Sequence, residues 1–314
     1  MQPQALIVAG PTCSGKSGLA LDLAERLGGT VINADSMQVY AELRIVTARP
    51  SEADEARVPH RLYGIRPASV PGDVAWWRSQ ALAAMEAAPG LPILCGGTGL
   101  YLAALTQGLA DIPQPEPWAR EEARGLLAEI GAGPLHARLA GVDAQTAAGL
   151  RPTDGQRVAR AWEVWRSTGR GLVAWQQATQ SPAPWRFNAI LIDPPRDDLR
   201  AAIDTRFHAM VAAGALAEVQ ALLDLRLDPG LPAMRALSVP ELSAYLRGDI
   251  ALDAAIAGAS LATGQYTKRQ ATWFRRRELA PKDRTHTIHA RIAGLKQLSQ
   301  RQQADLITFC RSAG

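Results

Sequence analysis

Short apolar runs alternate with helical patterns over the first hundred residues of the chain. Residues 5–9 form an apolar run that ends in a glycine-rich loop, and residues 17–27 carry apolar side chains at helical spacing. Apolar runs of this length, bounded by turn residues, are typical of buried strands. The elements predicted after these two are strands at residues 30–33, 61–65 and 92–95 and a helix at residues 74–88. This alternation indicates a parallel sheet covered by helices.

The pattern changes at a proline-rich stretch, residues 112–117, after which only helical patterns occur until a second such stretch at residues 181–184. Strand character returns once, at residues 189–192. Further helices are then predicted at residues 199–213, 216–225, 239–246 and 252–272. We therefore predict an α/β fold with an all-helical insertion. The core has two parts, residues 1–112 and 187–280, the insertion is residues 113–186, and no role is assigned to a tail at residues 281–314.

The composition indicates a globular protein and argues against a membrane segment. Of the 314 residues, 47% are hydrophobic, which is enough for a large buried core. The longest apolar runs are too short to span a bilayer, and the first residues lack a signal-type pattern. Cys13, Cys95 and Cys310 are not spaced as metal ligands. We therefore expect a cytoplasmic protein without a membrane segment.

Basic side chains are concentrated in residues 263–277, which carry Lys268, Arg269 and a run of arginines at residues 275–277. The formal net charge of the whole chain is only +4. Clustered positive charge suits a nucleic-acid backbone, but a solvated helix face has the same pattern. Charge alone leaves both interpretations open.

The loop after the first strand matches the pattern G-x-x-x-x-G-K-[ST] in full. Its residues are Gly10, Pro11, Thr12, Cys13, Ser14, Gly15, Lys16 and Ser17. The glycines allow backbone N–H groups to turn around phosphate oxygens, and the following helix directs its positive end to the same place. Lys16 supplies a mobile charge, and Ser17 supplies a hydroxyl for Mg²⁺. The prediction becomes a P-loop-type parallel sheet core flanked by helices.

This motif indicates a diphosphate without showing that the diphosphate belongs to a nucleotide. The strand at residues 92–95 ends in Gly96-Gly97-Thr98, without the acid of a Walker-B strand, whereas Asp35 follows the second strand. Ligands of such sheets lie beyond the carboxyl ends of the strands, so Asp35, Thr98 and the phosphate loop are predicted to lie on one rim. Asp35 can serve there as a base or a metal ligand, or it can simply cap a helix.

Further blocks follow the order seen in a known family. After the phosphate loop come Asn33-Ala34-Asp35-Ser36-Met37-Gln38-Val39-Tyr40, Thr47-Ala48-Arg49-Pro50, Pro59-His60-Arg61-Leu62, Gly96-Gly97-Thr98-Gly99-Leu100-Tyr101, and the blocks at residues 156–164, 206–210 and 268–275. Over residues 5–277 this ordered set resembles the tRNA dimethylallyltransferase family, also called tRNA isopentenyltransferases.

The resemblance implies transfer of a dimethylallyl group from dimethylallyl diphosphate to the exocyclic amine of the adenine 3′ of the tRNA anticodon, with Mg²⁺. It implies that Asp35 is the general base, that Arg206 steadies the diphosphate and that Thr98 supports activity. The helical insertion would grip the anticodon stem-loop. The implied tRNA contacts are Asp35, Ser36, Met37, Gln38, Arg120, Gln156, Arg157, Val158, Ala159, Arg160 and Arg235. We expect a monomer.

Before the resemblance is considered, several of these residues have simpler roles. Val158, Trp162 and Trp165 share one helical face and are expected in a core rather than against a base. Arg157 and Arg160 lie on another face, where solvated surface and phosphate contact are equally consistent with the pattern.

The chain departs from the family pattern in three places. Arg235-Ala236-Leu237-Ser238-Val239-Pro240 stands where Arg-x-x-Gly-Tyr-Lys/Arg is usual, Thr263-Gly264 replaces Thr-Arg, and Val46 replaces a glycine. We interpret these changes as affecting affinity or efficiency rather than the reaction. The alternatives are a P-loop nucleotide or small-molecule kinase and a catalytically weakened RNA-binding relative.

Overall fold

The computed structural model describes residues 2–177 and 181–311, and the strands in them form a six-stranded sheet. The strands are β1 Gln4–Ala9, β2 Thr30–Asn33, β3 His60–Arg61, β4 Pro92–Gly96, β5 Arg186–Ile192 and β6 Thr285–Ile288. They lie in the order β3-β2-β4-β1-β5-β6, and each neighbouring pair is parallel. The predicted α/β fold with a parallel sheet is therefore confirmed.

The helices occur between and after the strands along the chain. They are α1 Lys16–Leu27, α2 Glu52–Arg57, α3 Val74–Glu86, α4 Gly99–Thr106, α5 Pro117–Ile130, α6 Ala132–Val142, α7 Ala144–Ala148, α8 Gly155–Thr168, α9 Leu172–Gln176, α10 Arg196–Ala212, α11 Ala215–Asp224, α12 Val239–Leu246, α13 Leu252–Arg276 and α14 Gln300–Arg311. In the described part of the chain, none of them is both long and apolar enough to cross a membrane.

The chain forms two compact units. The core unit comprises Met1–Thr106 and Ala183–Gly314, and the helical unit comprises Gln107–Pro182. The helical unit holds α5 to α9, and the core unit holds the sheet and the remaining helices. Both borders of the helical unit lie a few residues before the borders that the proline-rich stretches indicated.

The central strand β1 is covered on both faces of the sheet. Successive side chains of a strand point to opposite faces. Leu6 and Val8 lie in a buried cluster with apolar residues of α1, whereas Ile7 and Ala9 lie in another with residues of α3, α4, α10 and α13. Burial on both faces explains why this strand is continuously apolar in sequence.

The strand predicted at residues 61–65 is shorter in the structure, where β3 is only His60–Arg61. Leu62 and Gly64 have φ angles of 66° and 60°. Strand conformation requires negative φ, so these two residues end the strand. The apolar character of Leu62 comes instead from its burial in the core.

The C-terminal segment completes the sheet and one face of the core. Strand β6 pairs with β5 at the sheet edge, and Leu295, Leu306 and Cys310 are buried in the cluster that contains α1. Burial raises the pKa of Cys310 to about 12. The two central residues of β6, His286 and Thr287, are exposed, which explains why this strand lacks an apolar sequence pattern.

The helical unit has a core of its own. Val158 and Trp162 of α8 are buried against Ala123 of α5 and Leu135 of α6. Trp165 is partly buried against this cluster, and its ring centroid lies 5.4 Å from that of Trp162. The expectation that this face of α8 is a core face is confirmed.

Candidate active site

The loop between β1 and α1 has a backbone suited to an anion. Cys13 and Gly15 have φ angles of 66° and 93°, and α1 begins directly after Gly15. No side chain caps the first turn of α1. An uncapped helix start leaves backbone N–H groups for an external acceptor, and the helix dipole favours a negative one. This geometry fits the phosphate-binding role predicted from the motif.

A cavity of about 800 Å³ opens beside this loop in the core unit. Eight predicted site residues line it: Thr12, Cys13, Gly15, Lys16, Ser17, Asp35, Gln38 and Arg206. Thr47, Asp198 and Arg291 also line it, and the sequence indicated none of these as site residues. The fold thus brings the phosphate loop, the candidate base and the α10 arginine together.

Two predicted cations approach the phosphate loop without acidic partners. Lys16 Nζ lies 3.4 Å from the carbonyl oxygen of Pro11, and Arg206 Nη1 lies 3.8 Å from Cys13 Sγ. Within the described residues, neither side chain forms an ion pair. Asp204, two residues before Arg206 on α10, is therefore not its salt-bridge partner. Both charges are available to an anion in the cavity.

Asp35 lies in an irregular loop after β2 and not at the start of a helix. Its Oδ1 accepts a hydrogen bond from the Met37 N–H at 2.9 Å. This is a local turn stabilised by an aspartate side chain, so the interpretation of Asp35 as a helix cap is wrong. Oδ2 of Asp35 has no hydrogen bond among the described residues. One carboxylate oxygen thus fixes the loop and the other remains available for chemistry.

The loop that carries Asp35 is anchored by a buried amide. Asn33 is fully buried, and its Oδ1 accepts a hydrogen bond from the Asp35 N–H at 2.8 Å. Its Nδ2 donates to the carbonyl oxygens of Asp35 and Leu62, each at 3.0 Å. The Trp77 indole N–H donates to the backbone oxygen of Asn33 at 2.9 Å. Asn33 and Trp77 therefore hold the backbone of Asp35 in place.

Thr98 connects the loops that follow β2 and β4. Its Oγ1 accepts from the Ser36 N–H at 3.0 Å and donates to Ser36 Oγ at 3.3 Å. Burial raises the pKa of Tyr266, a neighbour of Thr98, to about 12, so its hydroxyl stays protonated at neutral pH. Thr98 does not belong to the cavity lining. Its contacts fit a residue that positions the Asp35 loop.

Gln270 ties α13 to the phosphate loop. Its Oε1 accepts from the Thr12 N–H at 2.9 Å, and its Nε2 donates to the Gly97 carbonyl oxygen at 2.9 Å. Gln270 is only 5% exposed. Gln270 lies in the block at residues 268–275 that resembles the family, but its sequence context indicated no role for it. No local pattern indicates a contact between residues so far apart in sequence.

The loop at residues 44–48, whose Thr47 and Ala48 line the cavity, is held by hydrogen bonds between its backbone and the side chains of Gln38 and Glu218. Gln38 Nε2 donates to the carbonyl oxygens of Thr47 and Ala48 at 2.9 and 3.0 Å. Glu218 of α11 accepts from three consecutive N–H groups at residues 44–46, at 2.7 to 2.9 Å. Val46, which departs from the family pattern, is buried. Gln38 therefore braces the cavity wall, whatever else it contacts.

The implied tRNA contacts differ in accessibility. Gln156, Arg157 and Arg235 are exposed, while Ser36, Met37, Arg120 and Arg160 are half-buried. Val158 and Ala159 are only 0% and 7% exposed, in the core of the helical unit. Because their side chains point into this core, no side-chain contact with RNA is available to them.

Several basic side chains already have acidic neighbours. Arg157 pairs with Asp154 at 3.4 Å, and Arg160 pairs with Glu163 at 3.3 Å. In the basic segment, Arg275 forms two hydrogen bonds of 2.9 Å with Asp193. Lys268 and Arg269 are exposed and form no ion pair within the described residues. Both cations are therefore available to an external anion.

The oxygen ligands of the cavity suit a small hard cation. Ser17 and the carboxylates of Asp35 and Asp198 line it, and no cluster of three acidic, histidine or cysteine side chains occurs in the described residues. Mg²⁺ prefers oxygen ligands and keeps several waters, with one or two protein ligands and substrate phosphates completing its shell. The residues present therefore fit Mg²⁺ bound together with a diphosphate.

Comparisons with known proteins establish the family. The IPP transferase family matches residues 38–277, and the isopentenyl transferase family matches residues 3–68. The chain is 62% identical to the tRNA dimethylallyltransferase of Granulibacter bethesdensis over 315 residues, which covers 99% of each chain. It is 62% identical to that of Gluconobacter oxydans over 283 residues, 89% of this chain and 85% of the relative.

A solved structure extends this similarity to the fold. The full-length tRNA isopentenylpyrophosphate transferase of Bacillus halodurans is 29% identical to the chain, with a TM-score of 0.68. The match covers 100% of this chain and 97% of that one. This protein therefore belongs to the IPP transferase family, whose relatives named above are tRNA dimethylallyltransferases.

Proposed function

We propose that this protein transfers a dimethylallyl group from dimethylallyl diphosphate to the exocyclic amine of the adenine 3′ of a tRNA anticodon. The observation that carries the proposal is a single cavity lined by both the phosphate loop and Asp35, in a member of the IPP transferase family. The names of its relatives support the same substrates.

The acceptor amine needs a base because its lone pair is delocalised into the adenine ring. As the new N–C bond forms, the nitrogen becomes positively charged and its proton becomes acidic. Asp35 takes that proton through its carboxylate, which is the role of a general base. The hydrogen bond from the Met37 N–H leaves Oδ2 of Asp35 available for this step.

The leaving group is diphosphate. The C–O bond between the dimethylallyl carbon and the diphosphate breaks, and the electron pair stays on the diphosphate oxygen. Fixed donors that face this growing charge lower the barrier. The loop N–H groups, Lys16 and Arg206 supply such donors at one side of the cavity. Gln270 keeps the loop in place through the Thr12 N–H.

Ser17 is the proposed protein ligand of Mg²⁺, and Asp198 lines the same cavity. When bound, Mg²⁺ neutralises part of the charge on the diphosphate. Binding Mg²⁺ in this way does not require an acidic residue at the end of β4, and β4 ends in Gly96 without one. A kinase reading would need such an acid or an equivalent.

The tRNA partner is proposed to bind through its anticodon stem-loop. A base in an RNA loop can leave its stack at lower cost than a base in a duplex. Exposed basic residues in both units, such as Arg157 and Lys268, are the proposed phosphate contacts. We further propose that the protein acts as a monomer in the cytoplasm.

Isothermal titration with dimethylallyl diphosphate, ATP and tRNA tests this proposal. Lys16→Ala is expected to weaken dimethylallyl diphosphate binding by roughly tenfold or more, since it removes a charge-assisted contact, and to leave tRNA binding unchanged. Lys268→Ala is the matched control. It is expected to weaken tRNA binding and to leave dimethylallyl diphosphate binding unchanged. Tight ATP binding without any response to dimethylallyl diphosphate would instead support a kinase.

A further inference from the structure

The C-terminal segment at residues 289–298, called the strap below, runs over the phosphate loop and α1. The Ile292 N–H donates to the Ser14 carbonyl oxygen at 3.3 Å. The Leu295 N–H donates to Asp22 Oδ2 at 2.7 Å. Ile292 and Leu295 are only 3% and 1% exposed. The strap is therefore packed into the core beside the phosphate loop. Ile292 holds it to this loop, and Leu295 holds it to α1.

Two glycines permit this approach. A Cβ atom at Gly15 would lie 1.3 Å from the Ile292 carbonyl oxygen, and one at Gly18 would lie 2.0 Å from the Ala293 carbonyl oxygen. Gly15 belongs to the phosphate-binding motif, but Gly18 does not. The contact at Gly18 shows that α1 is shaped to receive the strap and not only to bind phosphate.

The strap places an arginine at the cavity. Arg291 Nε donates to the Cys13 carbonyl oxygen at 3.0 Å, and Arg291 lines the same cavity as Lys16 and Arg206. Its side chain is exposed, and it forms no ion pair with any described residue. The two terminal nitrogens make no hydrogen bond in the described part of the chain. An oriented guanidinium thus has its terminal donors free at a site built for an anion.

We propose that Arg291 is a third cationic ligand of the diphosphate, beside Lys16 and Arg206. The inference rests on the proposed function for the identity of the substrate, but the anion site follows from the geometry alone. A guanidinium held through Nε presents its two terminal nitrogens as a fork that matches two phosphate oxygens. The strap thereby gives the C-terminal segment a binding role at the site.

Titration with inorganic diphosphate, the released product, tests this assignment without requiring transfer. Arg291→Gln keeps an N–H donor for the Cys13 carbonyl oxygen and removes the charge. Loss of one charge-assisted contact is expected to weaken diphosphate binding by about ten- to a hundredfold. Arg291→Lys keeps the charge without the fork, and it is expected to bind with intermediate affinity. Arg301→Gln, an exposed arginine on α14, is the control and is expected to bind as the wild type does.

Thermal unfolding without ligand separates binding from folding. The Arg291→Gln variant is expected to unfold at the temperature of the wild type. Diphosphate affinity of that variant within twofold of the wild type would overturn the assignment, and so would an equal loss in Arg301→Gln. A wild type that binds diphosphate through Arg291 but transfers no prenyl group would contradict the proposed function and leave the anion site standing.

Discussion

Ser238 shows how one residue can depart from a family pattern at a structural cost. It has a φ of 73° and directly precedes α12, at the position where a glycine is usual. The left-handed region costs an L-residue about 1 to 2 kcal/mol, whereas glycine adopts it freely. The side chain is 1% exposed, and its hydroxyl hydrogen-bonds to the Leu237 carbonyl oxygen. The usual glycine thus serves the backbone turn.

Replacing Ser238 tests this explanation. Ser238→Gly and Ser238→Ala both remove the hydroxyl, but only glycine relieves the backbone. We expect the glycine variant to be more stable than the alanine variant by about 1 kcal/mol, which is a rise of about 2 °C in Tm for a chain of this size. Urea unfolding measures the difference. Equal stability of the two variants would mean that the positive φ carries no strain.

Asp35 could be located from sequence because it follows a strand that ends at the ligand-binding edge. Its partners could not. The buried Asn33 and the turn to Met37 depend on side-chain geometry that spacing does not reveal. Two of the implied RNA contacts, Val158 and Ala159, lie within a block that matches the family, but their side chains belong to the core of the helical unit. A matching block does not distinguish the exposed from the buried positions of a helix.

At the scale of elements, α13 joins the phosphate loop to the loop that follows β4. It packs so closely that a Cβ atom at Gly97 would lie 2.2 Å from Gln270 Nε2, and one at Gly99 would lie 2.3 Å from the Trp273 ring. The glycines of the Gly96–Gly99 block therefore make room for this helix. Sequence could predict α13 as a basic helix, but not the strand ends against which it packs.

Gln270→Ala tests the link between α13 and the phosphate loop. It leaves the Thr12 N–H and the Gly97 carbonyl oxygen without their partner, each at a cost of about 1 to 3 kcal/mol if no water replaces it. We expect lower Tm and a fall of about tenfold in kcat/KM for dimethylallyl diphosphate, equivalent to one lost hydrogen bond. Gln265→Ala, an exposed position of the same helix, is the control. Unchanged kinetics in Gln270→Ala would show that the loop holds its shape without α13.

Two strands differ from the sequence prediction, and each difference has a physical cause. Strand β6 lies at the sheet edge and exposes half of its residues, so it lacks the apolar run that identified β1, β4 and β5. The predicted strand at residues 61–65 had apolar residues, but positive φ angles end it after Arg61. The hydrophobic pattern reports which side chains are buried. It predicts a strand correctly only where the buried residues also have strand φ angles.

For the whole molecule, the helical unit comprises Gln107–Pro182, whereas the proline-rich stretches indicated an insertion at residues 113–186. The sequence pattern of residues 281–314 indicated no role for them. Their contribution depends on contacts with α1, which is more than 260 residues away in sequence. Within the core unit, the cavity likewise gathers residues from the phosphate loop, the Asp35 loop, α10 and the strap. A linear pattern identifies motifs one at a time, but the tertiary fold decides which of them meet.

We propose that this one cavity performs the transfer, with Asp35 as the base. The Asn variant of Asp35 keeps the size and polarity of the side chain and can still accept a hydrogen bond from Met37. It cannot take a proton at neutral pH. Because only one carboxylate oxygen is replaced by an amide nitrogen, the variant tests proton transfer without disturbing the fold. The affinity for each substrate is expected to change no more than a few-fold.

The most direct measurement is single-turnover transfer of labelled dimethylallyl from its diphosphate to tRNA across a Mg²⁺ series, followed by identification of the labelled nucleoside. The wild type is predicted to label the adenine 3′ of the anticodon. Asp35→Asn is predicted to slow the step by roughly 10² to 10⁴, the usual contribution of a general base, at every Mg²⁺ concentration. Absence of label with the wild type, near-normal transfer by Asp35→Asn, or its recovery at high Mg²⁺ would contradict the account.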